Sequence, residues 1–460
     1  PEKCEMKPET SKSAKLGPSS GAITQDGKSL TEGLVDLIRA KPVSQPDYES
    51  AALFTLDAVA NILAGRNSAP GRVLMDWWQS RASNEAPEPS RLGFLMGALC
   101  HILETDDLHR ASVVHPGCVV VPAAWALGTK LKVSGQELLR SVLEGFEATT
   151  RVGMAVGAAH YRIWHNTATC GPYGSAMAAA RLLGLDDAQT VHALGNAGSQ
   201  SSGLWQFLET GAMTKHLHAG HAVEAGMKAA DLAAFGFTGP PKILEGEKGF
   251  FKAACPDAKP EMVLGDADAD WQLVKTSIKP WPSCRHTHPA IDAAEELRIR
   301  LGGVAEDAIA RVSVTAYQAA LDVCNRPVAN SEYEAKFSLQ HAVAAALLLP
   351  KVDFAAFGDE GRAKAAQLAL RVDVAAGEPY LSAYPRNWGS FVQVELKDGS
   401  VLEAARENAK GDPEAPLNHD DMVAKAQMLL AHGGVKEADR LIEAILGMAK
   451  DGAVPDLSLL

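Results

Sequence analysis

Basic runs, long apolar runs and paired-cysteine motifs are missing from this chain, and each absence removes a class of function. The formal charge is -12, from 56 acidic against 44 basic residues, with no Lys/Arg cluster to interrupt it. Nucleic acid is therefore not an expected partner. The apolar run Ala342–Leu349 falls far short of the ~20 residues that span a bilayer, so no membrane partner is expected. The start shows no charged-then-apolar signal pattern. The seven cysteines (Cys4, Cys100, Cys118, Cys170, Cys255, Cys284, Cys324) are scattered and odd in number, the usage of free thiols in a reducing compartment. A cytoplasmic location is the expectation. Although there are 40 glycines, neither G-x-G-x-x-G nor a P-loop occurs, and H-E-x-x-H is absent as well. The common dinucleotide, nucleoside-triphosphate and zincin readings fall away, and no cofactor is expected.

What is present is a chain of 460 residues, 47% hydrophobic and 22% charged, enough for a sizeable core and more than one ordinary domain. Residues 100–117 stand out. Three acids (Glu104, Asp106, Asp107), three histidines (His101, His109, His115) and Arg110 lie between the apolar flanks Gly93–Leu99 and Cys118–Ala124. Titratable groups between segments that bury themselves are costly unless paired or used. The ordinary alternative for any one of them is a solvated helix end with ion pairs.

Residues 1–28, rich in Lys, Ser, Pro and Gly, predict a loose arm. Helical stripes follow: Leu30, Leu34, Leu37 and Ile38; then Leu53, Leu56 and Ile62; then Val73–Ala82. Ser134-Gly-Gln-Glu and Asp186-Asp-Ala-Gln read as polar helix caps. Gly174–Leu183 and Gly220–Ala234 are built of small residues, which predicts helices packed at close range. Near residue 270 the pattern changes. Trp271–Ile278, Ala310–Ala316, Leu368–Val374 and Phe391–Leu396 alternate as strands do, the last followed by the hairpin signal Asp398-Gly-Ser. Helices are predicted over Pro289–Leu301, Phe337–Leu349, Met422–Leu430 and Lys436–Met448. The expectation is a mainly α protein: an all-helical domain over 29–269 and 406–460, with a smaller inserted α/β lid over 270–405.

Four further segments carry chemistry-bearing side chains. His160-Tyr-Arg-Ile-Trp-His165-Asn-Thr167 interrupts small-residue surroundings, and either histidine has a packed core role as its bland alternative. Thr214-Lys215-His-Leu-His-Ala-Gly-His places a lysine suited to anion binding before a small-residue helix. Its His216, His218 and His221 raise a metal-hydrolase alternative, but on a helix only the last two share a side and no acid completes the set. Lys279-Pro-Trp-Pro-Ser-Cys-Arg285-His-Thr-His288 stands where the second domain begins, where clefts form. Lys336-Phe-Ser-Leu-Gln-His341 opens an apolar helix.

These segments, taken together, resemble the MmgE/PrpD superfamily. The resemblance rests on His101-x-x-Glu-x-Asp-Asp-Leu-His with His115-Pro-Gly, His165-x-Thr-x-x-x-Gly171, Gly211-x-x-x-Lys215, and Gly236-Phe-Thr-Gly-Pro with Glu245-Gly. Cys284-Arg-x-x-His288-x-x-Ile-Asp292 and Lys336-Phe-Ser complete it, in order across most of the chain. It implies a helical domain with an α/β lid, a homodimer, and cofactor-free chemistry on a small polycarboxylate: methylcitrate dehydration, cis-aconitate decarboxylation or iminodisuccinate epimerisation. The implied site residues are Glu104 or Asp107, His115, His165, Lys215 and His288. Two departures mark this chain: Leu108-His-Arg follows the acid pair where Thr and an aromatic are usual, and His341 stands where Tyr is common.

Those reactions share one hard step, making or quenching a carbanion next to a carboxylate. It needs a base near neutral pKa, an acid, and positive charge on the developing anion. His165 is the expected acid/base, with His115 or His288 as proton partner, Lys215 on the carboxylate and Asp107 as an orienting group. Glu104, His109, Arg110, Thr167, Arg285 and His341 are the expected substrate contacts. The expected activity is a dehydratase or decarboxylase, with an epimerase next.

Overall fold

A computed structural model describes residues 27–81, 86–303 and 305–457; the arm expected over 1–28 lies almost wholly outside them. The chain is mainly α-helical, with one small four-stranded sheet among the described residues. Helix starts follow local chemistry. Ser29 with Glu32, Ser134 with Glu137 and Asp186 with Gln189 each form a capping box, which satisfies two otherwise orphaned N–H groups at a helix entrance.

The centre of the helical part is a trio of helices that begin at the same end. Asn166–Leu182 and Thr214–Ala234 run side by side in the same direction, since Ala168 neighbours His218 through Gly203, Gly171 neighbours Ala222, and Ser175 neighbours Gly226. Contact is close enough that a Cβ on Gly226 would sit 2.1 Å from Ser175 Oγ and 2.5 Å from the Pro172 carbonyl. The third helix, Gly117–Leu131, meets Gly171 and Gly174 through Val119 and Val120. Small residues thus do what the composition predicts: they bring three backbones together and bury them. His115, His165 and Lys215 all lie within two residues of the N-terminal ends of these helices.

The sheet comprises β1 (Ile309–Ala316), β2 (Val372–Ala376), β3 (Ser390–Leu396) and β4 (Val401–Arg406), in the order β2-β1-β3-β4. β1 and β2 are parallel; the other pairs are antiparallel. Val312, Val314, Val392 and Val394 from the sheet pack with Ile291, Leu297, Leu339 and Val343 from two helices, in an apolar core separate from that of the helical part. His419–His432 and Ala438–Gly447 return to pack on Gln45–Gly65.

Two expected strands differ. Trp271–Ile278 holds a short 3₁₀ turn, Gln272–Lys275, and only Ser277 pairs, with Leu108. The reason is side-chain anchoring: the Trp271 indole donates to Pro42 O at 3.0 Å, and the Gln272 N–H to Glu147 Oε2 at 2.8 Å. Within Leu368–Val374, Leu368 and Ala369 end the helix Asp359–Ala369, and the strand starts at Val372.

Candidate active site

Residues 101–107 leave the Pro89–Cys100 helix as an irregular loop whose path is fixed from outside. Lys279 Nζ donates to the Glu104 carbonyl at 3.1 Å, and Lys425 Nζ to the Thr105 carbonyl at 2.7 Å. The Thr105 hydroxyl bonds Asn61, and Lys425 also pairs with Asp57. Glu104 takes φ 61°, left-handed backbone that a non-glycine residue holds at about 1–3 kcal/mol. That posture turns its carboxylate onto Lys215 Nζ, with Lys279 Nζ at 3.8 Å from the other oxygen. Burial opposes ionisation of Glu104, but the two ammonium groups outweigh it and hold its pKa well below the carboxylate range. Burial likewise disfavours the Lys215 cation, and Glu104 more than restores it.

Behind this pair lies a run of imidazoles. Asp106 Oδ2 is 2.6 Å from His101 Nδ1 and 3.3 Å from His115 Nδ1. The His101 ring is 4.7 Å from that of His115 and stacks on His165 at 5.5 Å with an interplanar angle of 14°. His165 Nδ1 then meets His218 Nδ1 at 3.3 Å, with Trp205 covering the His165 ring at 4.6 Å. The His115 N–H donates to Thr167 Oγ1 at 3.1 Å, which ties two of the three helix starts together. Burial keeps these rings neutral: it lowers His101 to about 3 against the pull of Asp106, lowers His115, and takes His165 well below its usual range. His101, Asp106 and His165 are at most 2% exposed, whereas the Lys215, Glu104 and His115 side chains are 19%, 18% and 13% exposed.

Of the expected site residues, the structure brings together Glu104, His115, Thr167, His165 and Lys215. It places the others elsewhere. Asp107 faces away and accepts the Gly117 N–H at 3.0 Å, anchoring a helix start; burial and neighbouring Asp106 raise its pKa well above the usual value. A Cβ on Gly117 would lie 2.9 Å from that carboxylate, which would have to shift to admit it. The acid on the imidazoles is Asp106. His109 bonds Ser112 at 2.8 Å and Gln272 at 3.2 Å, and Arg110 grips Glu414 at 2.5 and 2.6 Å. Arg285 pairs with buried Asp412, His288 Nε2 meets the Ser283 carbonyl at 3.1 Å, and His341 Nε2 meets the Ala356 carbonyl at 3.0 Å. Leu108-His-Arg therefore braces the junction with residues 272–277 and 412–414. Lys279, Asp106, His101 and His218 also line this cluster, and the sequence did not point to them as members of it.

His216, His218 and His221 do not converge. His218 is taken up by His165, and His216 lies in the field of Lys215 and Glu104. Among the described residues, the trio whose ligand atoms lie within 4.8 Å of one another is His101, Asp106 and His115. Both Nδ1 atoms face one Asp106 oxygen, and Lys279 Nζ is 3.9 Å from the other. A cavity of about 690 Å³, lined by Trp281, Phe354, Lys425 and His432, opens near the last helices and shares no residue with the imidazole run.

Fold and site together define a class: a mainly helical protein with a smaller α/β part and a buried imidazole–lysine–carboxylate cluster at three converging helix starts. The chain belongs to the MmgE/PrpD family. The family's N-terminal domain model matches residues 33–263 and its C-terminal domain model residues 281–449. The cis-aconitate decarboxylase of Homo sapiens is 29% identical over 359 residues, 73% of this chain and 72% of that protein. The cis-aconitate decarboxylase of Aspergillus terreus is 26% identical over 373 residues, 75% of each chain.

Proposed function

We propose that this protein is a cofactor-independent lyase of the MmgE/PrpD type, a decarboxylase or dehydratase, acting on a small di- or tricarboxylate in a cleft between the helical part and the lid. The observation that carries the reading is the Lys215–Glu104 pair, set beside neutral His165 and His115 where three helices begin. Helix N-termini and two lysines favour a carboxylate, and neutral imidazoles are ready to move a proton. Relatives named as cis-aconitate decarboxylases support cis-aconitate as the first substrate to test.

In this reading the substrate carboxylate takes the place of Glu104 on Lys215. Loss of carbon dioxide leaves an electron pair at the carbon next to a remaining carboxylate; Lys215 and Lys279 stabilise the charge, and His165 gives the proton that quenches it. Asp106 holds His115 and His101 by their Nδ1 atoms, so each presents Nε2. Rings of His115 and His165 on either side of His101 also suit two-base exchange, which keeps epimerisation as a second reading. The chain acts, in this reading, as a homodimer in the cytoplasm.

A panel of cis-aconitate, methylcitrate, citrate and iminodisuccinate in deuterated water, read by NMR for product and exchange, tests the proposal. Turnover of one of them, with a deuteron on the product carbon, supports it. Stoichiometric zinc in active protein, lost together with activity on chelation, would overturn it.

A further inference from the structure

His218 has no place in the proposed reaction so far, yet its Nδ1 meets the Nδ1 of His165 at 3.3 Å. Gly203 presses against it, with the His218 Nδ1 only 3.3 Å from where a glycine Cβ would be, and the Phe207 ring lies 5.6 Å away. The contact is therefore built into the packing of the two helix starts. We infer that His218 is a positioning residue that sets the tautomer of His165 and passes protons between it and solvent. This rests on the proton-transfer reading of the site.

The chemistry follows from counting protons. Burial keeps both rings neutral, His165 well below its usual range and His218 at about 4. Between two neutral imidazoles one proton occupies the Nδ1···Nδ1 line, so one ring donates and the other accepts there. If His165 donates, its Nε2 carries a lone pair and can take a proton from carbon. If His218 donates, His165 holds Nε2–H and can give one. Switching between them takes three proton moves: one along that line, one at His165 Nε2 and one at His218 Nε2.

Delivery to a carbanion balances in three moves. The His165 Nε2 proton goes to the substrate carbon, the His218 Nδ1 proton moves to His165 Nδ1, and a water proton arrives at His218 Nε2, leaving hydroxide. Each ring loses one N–H and gains one, so neither is charged before or after, which suits a site where burial penalises an imidazolium. His221 lies three residues along the same helix and is half-buried.

The test uses the full-length protein, ¹⁵N-histidine labelled, with His218→Leu and His218→Asn variants. In His218→Leu the His165 nitrogens are expected to lose their paired tautomer signature, and kcat to fall on the order of 10²-fold with KM nearly unchanged. His218→Asn keeps a hydrogen-bonding group beside His165 Nδ1 but cannot relay, so it recovers the signature and not kcat. An unchanged His165 spectrum in His218→Leu would overturn the inference, as would kcat within about two-fold of the parent. Should the protein turn over none of the carboxylates, the spectra alone decide the imidazole pair, so the two claims fail separately.

Discussion

Replacing Lys215 with Met removes one of the two cations on Glu104 and leaves the other. Lys279 Nζ remains 3.8 Å from Glu104 Oε2. At an effective dielectric of ~20 that separation gives a gross attraction of about 4 kcal/mol, enough to keep Glu104 ionised at neutral pH. Fully buried pairs cost ~3–5 kcal/mol when one partner is removed, but these side chains are 19% and 18% exposed, so the expected loss of stability is about 2 kcal/mol. Its pH dependence has a definite sign. Glu104 has a depressed pKa when folded, so its contribution is present above its ordinary value of 4.5 and is lost as pH falls towards the folded value. The deficit of Lys215→Met is therefore full at neutral pH and shrinks below about pH 4.5. Turnover falls further, by about 10²–10³-fold, because the cation also faces charge that develops in the transition state. Urea unfolding at two pH values, with kcat on whichever carboxylate is turned over, measures both. A variant as stable as the parent at neutral pH, or one that keeps full activity, would refute the reasoning; Lys215→Arg controls for shape.

Asp106→Asn should lower kcat by about 10- to 100-fold while Asp107→Asn lowers it far less, because only Asp106 meets the imidazoles; comparable losses would contradict the assignment. Lys425→Met leaves Asp57 buried without its cation and should cost about 3–5 kcal/mol by urea unfolding, with the Asp57→Asn, Lys425→Met double variant recovering part of it. Gly226→Ala puts a methyl 2.1 Å from Ser175 Oγ and 2.5 Å from a backbone carbonyl, so Tm should drop by several degrees; an unchanged Tm would contradict the helix contact. Because burial takes His165 well below its usual range, log(kcat/KM) should be flat across pH 6.5 to 7.5, with the acid limb below pH 6.5; a limb centred near 7 would contradict it.

Much of this site was legible because its residues stand at helix starts, where a break in small-residue periodicity leaves polar groups exposed in the pattern. His165 before Asn166–Leu182 and Lys215 at the opening of Thr214–Ala234 are of that kind. The choice between Asp106 and Asp107 was not legible. Adjacent residues in an irregular loop have no period to orient them, and the loop is aimed by Lys279 and Lys425, the latter 320 residues away in sequence. His218 was read for metal spacing along its own helix, whereas its partner lies on the neighbouring helix. Arg110 and Arg285 carried the right charge for a carboxylate clamp, but Glu414 and Asp412 had no signal tying them to those arginines. Strands with clean alternation, β1 and β3, emerged where expected, while Trp271–Ile278 was decided by anchors on the helical part.

The central claim is that His165 moves a proton at a carbon held by Lys215. Its most direct measurement is cis-aconitate in deuterated water with the parent and His165→Gln, following product formation and deuterium incorporation by NMR. The account predicts a product carrying one solvent deuteron from the parent and neither product nor exchange from a folded His165→Gln. Turnover by that variant at the parent's rate would contradict it.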